Sequence, residues 1–205
     1  MKGCSFRSLV VLMAAMVGLL LALQWYGGNA ALRQQFLSLI GKTPLDSPVH
    51  VQPSSYPVAG PPTMSISFIN RVLSASRSPA AGLGQALYEG GKRSGIDPVY
   101  ALAFFQHESS FGRTGWAALN RSLGNIRCSA GYACRGGYRS YATWQAGFLD
   151  WYHLIRTLYI DQWHLTTVAQ IVPVYAPASD HNNVSAYIQA VEHAVDTWRS
   201  GTVLA

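Results

Sequence analysis

Glu108 is the residue in this chain whose type and setting most directly suggest chemistry. It lies in His107-Glu108-Ser109-Ser110-Phe111-Gly112, at the end of an apolar run that opens at Pro98. At helical spacing it shares a face with Tyr100 and Phe104, eight and four residues before it. Partial burial in such a place disfavours the ionised carboxylate, and so does the negative end of the helix dipole. A carboxyl held protonated near neutral pH is what a general acid needs. The competing reading is an ordinary carboxylate paired with Arg113 or Arg121.

The residues that follow have a biased chemistry. From Ser109 to Leu149 there is no Asp or Glu, while Arg113, Arg121, Arg127, Arg135 and Arg139 all fall in that window. So do Phe111, Trp116, Tyr132, Tyr138, Tyr141 and Trp144. Aromatic rings stack on the apolar faces of sugars, and guanidinium forks grip carboxylates. A basic, aromatic lobe therefore suits a polysaccharide that carries carboxylates. Core packing accounts for part of the aromatic set, Trp144 included, because it belongs to a helical stripe. Elsewhere the chemistry is thin. His153 and His164 have no partner at metal-ligand spacing, and no glycine-rich phosphate loop follows a strand. No metal or cofactor is expected. Two further carboxylates come near the question: Asp150, on a helix and solvated or salt-bridged, and Asp180, a second acid or a cap of the last helix.

The elements that must position these residues are mostly helical. Ile66–Ser76 forms a first helix, broken at Ser78-Pro79. Leu83–Ser94 forms a second, stopped by Gly95. Asp97-Pro98 is a strong start signal for the third, which runs to about Ser109 and is apolar nearly all round, as a helix in the middle of a domain must be. Between Ser122 and Tyr141 four glycines punctuate short runs, predicting a β-hairpin or irregular lobe. Helices resume at Thr143. Trp144, Phe148, Trp151, Ile155 and Leu158 form one core stripe. Val184, Tyr187, Ile188, Val191, Val195 and Trp198 form another, read as packing alone.

Composition agrees. The chain has 205 residues, 49% hydrophobic and 12% charged, which excludes a chain kept disordered by its charge. A net charge of +6 is a mild basic bias that fits anionic polymers without indicating nucleic acid. Three cysteines exclude a disulfide-dense miniprotein and any four-Cys zinc site.

Before the domain come two appendages. Lys2 and Arg7 precede an uninterrupted apolar run, Leu9 to Leu23, with Trp25 and Tyr26 behind it. Residues 1–26 are expected to be an uncleaved transmembrane anchor, with a cleaved signal peptide ending near Gly28-Asn29-Ala30 as the alternative. Either places the rest of the chain outside the cytoplasm. Residues 27–64 hold Pro44, Pro48, Pro53, Pro57, Pro61 and Pro62 and read as a semi-rigid linker. The folded domain is expected over 65–201. Cys128 and Cys134 flank five residues of that extracytoplasmic domain, so a disulfide is expected, with two free thiols as the alternative.

Three stretches carry a resemblance: Gly95-Ile96-Asp97-Pro98-Val99-Tyr100-Ala101-Leu102-Ala103, then His107-Glu108-Ser109-Ser110-Phe111-Gly112, then Ser122-Leu123-Gly124-Asn125-Ile126-Arg127. Together with Tyr141-Ala142-Thr143-Trp144, Tyr175-Ala176-Pro177 and Asp180-His181-Asn182-Asn183, they resemble the bacterial glucosaminidase domain. That is the mannosyl-glycoprotein endo-β-N-acetylglucosaminidase-like family of the lysozyme-like superfamily. The likeness covers about Ser65 to Trp198. It implies a mainly α, lysozyme-like α+β fold: a helical bundle around a buried catalytic helix, with a small hairpin lobe across a cleft. It implies that Glu108 is the acid acting on β-1,4 glycosidic bonds of peptidoglycan. Gly124 and Asn125 would then line the cleft, with Phe111, Arg127, Tyr141 and Tyr175 as further substrate-binding residues. The hairpin lobe lacks the second acid that two-carboxylate glycosidases use, so a one-acid site assisted by the substrate's own acetamido group is expected, with Asp180 as the reserve acid. Rival expectations are a glycan-binding module without turnover and lytic transglycosylase-type chemistry. Expected partners are glycan strands and, through the N-terminal segment, the membrane; nucleic acid is not expected, and the chain is read as a monomer.

Overall fold

A computed structural model describes residues 56–205. The N-terminal segment and most of the proline-rich stretch lie outside the described residues. Among those described, no helix is long and apolar enough to cross a membrane.

The fold is mainly helical, with one small antiparallel hairpin. Helix α1 spans Ile66–Ala75; Ser65 caps it by accepting the amide of Phe68 at 3.2 Å. Its buried residues, Phe68, Ile69, Val72 and Leu73, fall on one face. Helix α2, Gly84–Ser94, ends where Gly95 takes a left-handed conformation with φ 64°. Helix α3 runs from Pro98 to Ser109 and is the hub, packing against α2, a short helix α4 (Gly115–Asn120), α5 (Trp144–Leu154) and α7 (Val184–Arg199). Eight consecutive residues of α3, Pro98 to Phe105, are buried. Between α5 and α7 lie a π-helical stretch, Ile155–Gln162, helix α6 (Val168–Tyr175) and a 3₁₀ turn, Ala178–Asp180.

Strands β1 (Cys134–Arg135) and β2 (Tyr138–Arg139) pair antiparallel, with Arg135 opposite Tyr138. The two-residue loop between them is Gly136-Gly137, and both take positive φ, 62° and 85°. That is what a hairpin turn matched to strand twist requires. The disulfide Cys128–Cys134, Cα atoms 5.7 Å apart, ties this hairpin to the segment that leads into it.

The structure draws the domain boundary earlier than the proline pattern suggests. Pro57 forms an antiparallel bridge with Thr167 and Ala59 one with Ile96. The Val58 amide donates to Thr166 at 2.9 Å, and its side chain is 1% exposed. Prolines space these contacts rather than prevent them, because Val58 supplies the amide that Pro57 lacks. Residues 56–64 are thus a strap on the folded body and not linker. The strap ends in a clasp: Thr63 donates its amide (3.1 Å) and hydroxyl (2.6 Å) to Asp97, which is 2% exposed and also pairs with Arg199 at 3.0 Å.

Candidate active site

Helix α3 delivers Glu108 to the floor of a cleft. Asp97 caps its start by accepting the amide of Val99 at 3.2 Å, with Pro98 at the first helical position. Its end is abrupt: Ser110 and Phe111 both have left-handed φ, 49° and 58°. Ser109 holds that turn, donating to the Leu123 carbonyl at 2.8 Å and accepting the Gly112 amide at 2.8 Å. Glu108 therefore projects from the last turn of a helix fixed at both ends.

The cleft has a volume of about 500 Å³ and runs between the hairpin lobe and the α6–α7 corner. That is within the usual range for a ligand pocket. Asn125, Arg127, Tyr138, Tyr159, Tyr175 and Asp180 line it with Glu108. Tyr187 donates its hydroxyl to Glu108 Oε1 at 2.7 Å, and Asn125 donates to the Glu108 main-chain oxygen at 2.8 Å. No salt bridge to Glu108 forms among the described residues, so the ordinary-carboxylate pairing with Arg113 or Arg121 is not what the structure shows. Burial pushes its carboxyl above the usual range, while the bonds from Tyr187 and Asn125 pull the other way. Burial likewise pushes the phenol of Tyr187 well up, so it remains a donor. His107 stacks on the Tyr187 ring, centroids 3.8 Å apart, and burial lowers its own pKa.

The other expected site residues divide. Asn125, Arg127, Tyr175 and Asp180 are in the cleft wall. The Tyr175 hydroxyl is committed to the Gly124 carbonyl, so its contribution to the cleft is a fixed ring. Asp180 is paired with Arg127 at 2.6 Å across the cleft. The cap of α7 is instead Asn183, which accepts the Ala186 amide at 3.0 Å.

Three residues expected at the substrate are elsewhere. Phe111 is 2% exposed and packs toward Trp198, with ring centroids 6.1 Å apart; the left-handed turn after α3 swings it into the core. Tyr141 donates to Asp150 at 2.5 Å, and burial with that bond pushes its pKa far up; it serves the joint between hairpin and α5. Asp150 also pairs with Arg139 at 2.7 Å, both side chains nearly buried, which answers its sequence alternatives in favour of the salt bridge. Gly124 is not in the cleft wall. It is a point of close approach, where a Cβ would stand 2.5 Å from Trp151 and 2.8 Å from the Tyr175 oxygen.

Tyr187 and Tyr159 were hidden from sequence reasoning. Tyr187 falls on the apolar stripe of its helix, a position that packing alone explains in the sequence. The available signal was its hydroxyl, since a buried phenol needs a partner. Among the described residues, no group of three or more His, Cys, Asp or Glu could hold a metal ion. Neither a protein-family model nor a curated protein matches the chain.

Proposed function

We propose that the domain is a peptidoglycan glycosidase of the endo-β-N-acetylglucosaminidase-like kind, on a lysozyme-like fold, acting outside the cytoplasm. The observation that carries the reading is Glu108 itself: a carboxyl without a salt-bridge partner among the described residues, its pKa raised by burial, hydrogen-bonded by Tyr187 and lining a polar cleft of about 500 Å³. A protonated carboxyl in that position donates its proton to the oxygen of the leaving sugar as the glycosidic bond breaks. Tyr187 biases which oxygen of the carboxyl carries the proton: Oε1 accepts its short bond at 2.7 Å, while Oε2 meets only a long contact from Asn125 at 3.5 Å and is the better placed to donate.

Asp180 is a poor candidate for a second acid, since its carboxylate is already paired with Arg127 at 2.6 Å. The electrons that replace the departing oxygen at the anomeric carbon then come from the substrate's own acetamido carbonyl. Water opening the resulting ring gives a reducing sugar. Attack by a sugar hydroxyl instead gives an anhydro sugar, the lytic transglycosylase-type outcome.

Mass spectrometry of muropeptides released by the protein tests the reading. Release should follow cuts at β-1,4 bonds beside N-acetylglucosamine. Glu108→Gln should lower the rate by about 10²–10⁴, the contribution of a positioned acid, with the fold intact. Asp180→Asn should lose much less. A Glu108→Gln protein that clears cell wall at the parent rate would overturn the proposal, and a protein that binds wall without cutting it would favour a glycan-binding module.

A further inference from the structure

The segment that carries Tyr159 into the cleft is wound as a π-helix over Ile155–Gln162, a geometry that is rare and concentrated at functional sites. The winding extends to the next residue, since the Trp163 amide donates to the Leu158 carbonyl, five residues back, at 3.0 Å. Its consequence is a change of face. Leu154 and Tyr159 both line the Glu108 cleft and are five residues apart. At the 3.6 residues per turn of an α-helix, residues so spaced point about 140° apart, and residues nine apart, such as Leu154 and Trp163, about 180° apart. Winding with i→i+5 bonds, at about 4.4 residues per turn, cuts those separations to about 50° and about 20°. Tyr159 thus reaches the cleft beside Leu154, and Trp163, four residues on, follows it.

The rings make the continuity visible. Tyr175, in the cleft wall, has its ring centroid 6.1 Å from that of Tyr159. Tyr159 in turn meets Trp163 edge to face at 5.2 Å. Tyr159 is buried, whereas Trp163 is 43% exposed. A line of aromatic rings therefore leads from beside the acid out to solvent, ending on an indole held by a buried neighbour. Trp163 lies outside the lining of the cleft and one ring beyond Tyr159, which does line it; a large aromatic face left wet there suits a ligand that continues past the cleft and has apolar faces of its own, as a sugar chain does.

We propose that Trp163 is a remote sugar-stacking subsite of this cleft, taking an N-acetylhexosamine ring of a β-1,4-linked strand several units from the bond that is cut. The inference rests on the proposed glycosidase reading. It adds that the site measures strand length: a long strand engages Trp163 and a short one does not.

The test uses the full-length Glu108→Gln protein in detergent, titrated with β-1,4-linked N-acetylglucosamine trimer and hexamer and followed by tryptophan fluorescence and calorimetry. The hexamer should bind more tightly than the trimer. Adding Trp163→Ala should weaken the hexamer about fivefold, the scale of one aromatic contact, and leave the trimer unchanged. Trp163→Phe should recover part of the loss. With Glu108 restored, Trp163→Ala should raise KM for long strands without changing kcat for short ones. Hexamer binding unaffected by Trp163→Ala, with trimer and hexamer still bound, overturns this inference and leaves the glycosidase reading standing. Failure of the parent to bind either oligomer overturns both.

Discussion

The two walls of the cleft are built by different means. The helical wall is a dense aromatic core: Phe104 alone meets Trp151, Tyr175 and Tyr187, with ring centroids 5.3 to 5.7 Å apart. The hairpin wall buries little. Residues 127–137 are all exposed, and what holds them is a disulfide, the Arg139–Asp150 ion pair and Arg139 lying 3.6 Å over the Tyr132 ring. The difference assigns roles. A carboxyl that must keep its proton needs a rigid, dry support, and the helical wall supplies it. On the proposed reading the hairpin wall meets a glycan, and a wall of that kind can be polar and lightly packed.

Truncating the core should cost the most. Phe104→Ala removes a fully buried ring that touches three aromatics, and it should destabilise the domain by about 3–5 kcal/mol in chemical denaturation. A loss under about 1 kcal/mol would mean the helical wall is softer than its packing indicates.

Opening the hairpin should cost less. Reducing Cys128–Cys134 frees a loop of seven residues, for which chain-entropy reasoning gives about 2 kcal/mol. Mild reductant should lower Tm modestly and speed amide exchange around Ser129–Tyr138, while exchange in α3 stays protected. Global unfolding on reduction would erase the contrast between the walls. Labelling of both thiols in untreated native protein would deny the bond itself.

The smallest effect lies where the walls meet. Burial raises the Glu108 pKa, so the folded protein binds this proton more tightly than the unfolded chain does. Its contribution to stability is therefore full below the ordinary carboxyl value of 4.5 and is lost as pH rises through the raised one. Glu108→Gln has no proton to lose. Its Tm relative to the parent should improve as pH rises from about 4 to about 8, by a degree or two. A difference that stays flat over that range would show that Glu108 is not held protonated by its surroundings.

What could be read from the sequence follows the same division. Helix α1 lies within a residue of its sequence span, and α3 within the expected bounds. Ser65, Asp97-Pro98 and Gly95 act through short-range geometry that needs no tertiary context. Glu108 stands out in the sequence because it is a carboxylate at the end of a helix that is apolar nearly all round. The rest depended on contacts distant in sequence. Whether Phe111 faces substrate or core turns on two left-handed residues, neither of them glycine. Tyr141 and Tyr175 looked interchangeable, yet one ties down Asp150 and the other Gly124. The π-winding after Leu154 leaves no mark in an apolar pattern that both windings satisfy. The strap failed for a further reason: six prolines suggested an extended tether, and extended backbone is also what bridges Thr167 and Ile96.

The clasp at Asp97 has a mechanical side. Helices α3 and α7 lie against each other in opposite directions. Asp97 and Arg199 fasten one end of the pair, while Glu108 and Tyr187 meet at the other. Eleven residues of helix separate the two fastenings, a rod of about 16 Å. Two rods pinned at both ends cannot slide without breaking a pin, and the strap is hooked on the first through Thr63. Residues 56–63 are thus coupled to the helix pair through Asp97, which Arg199 also holds. Sliding α3 past α7 would have to open the far pin as well, the 2.7 Å bond from the Tyr187 hydroxyl to the Glu108 carboxyl.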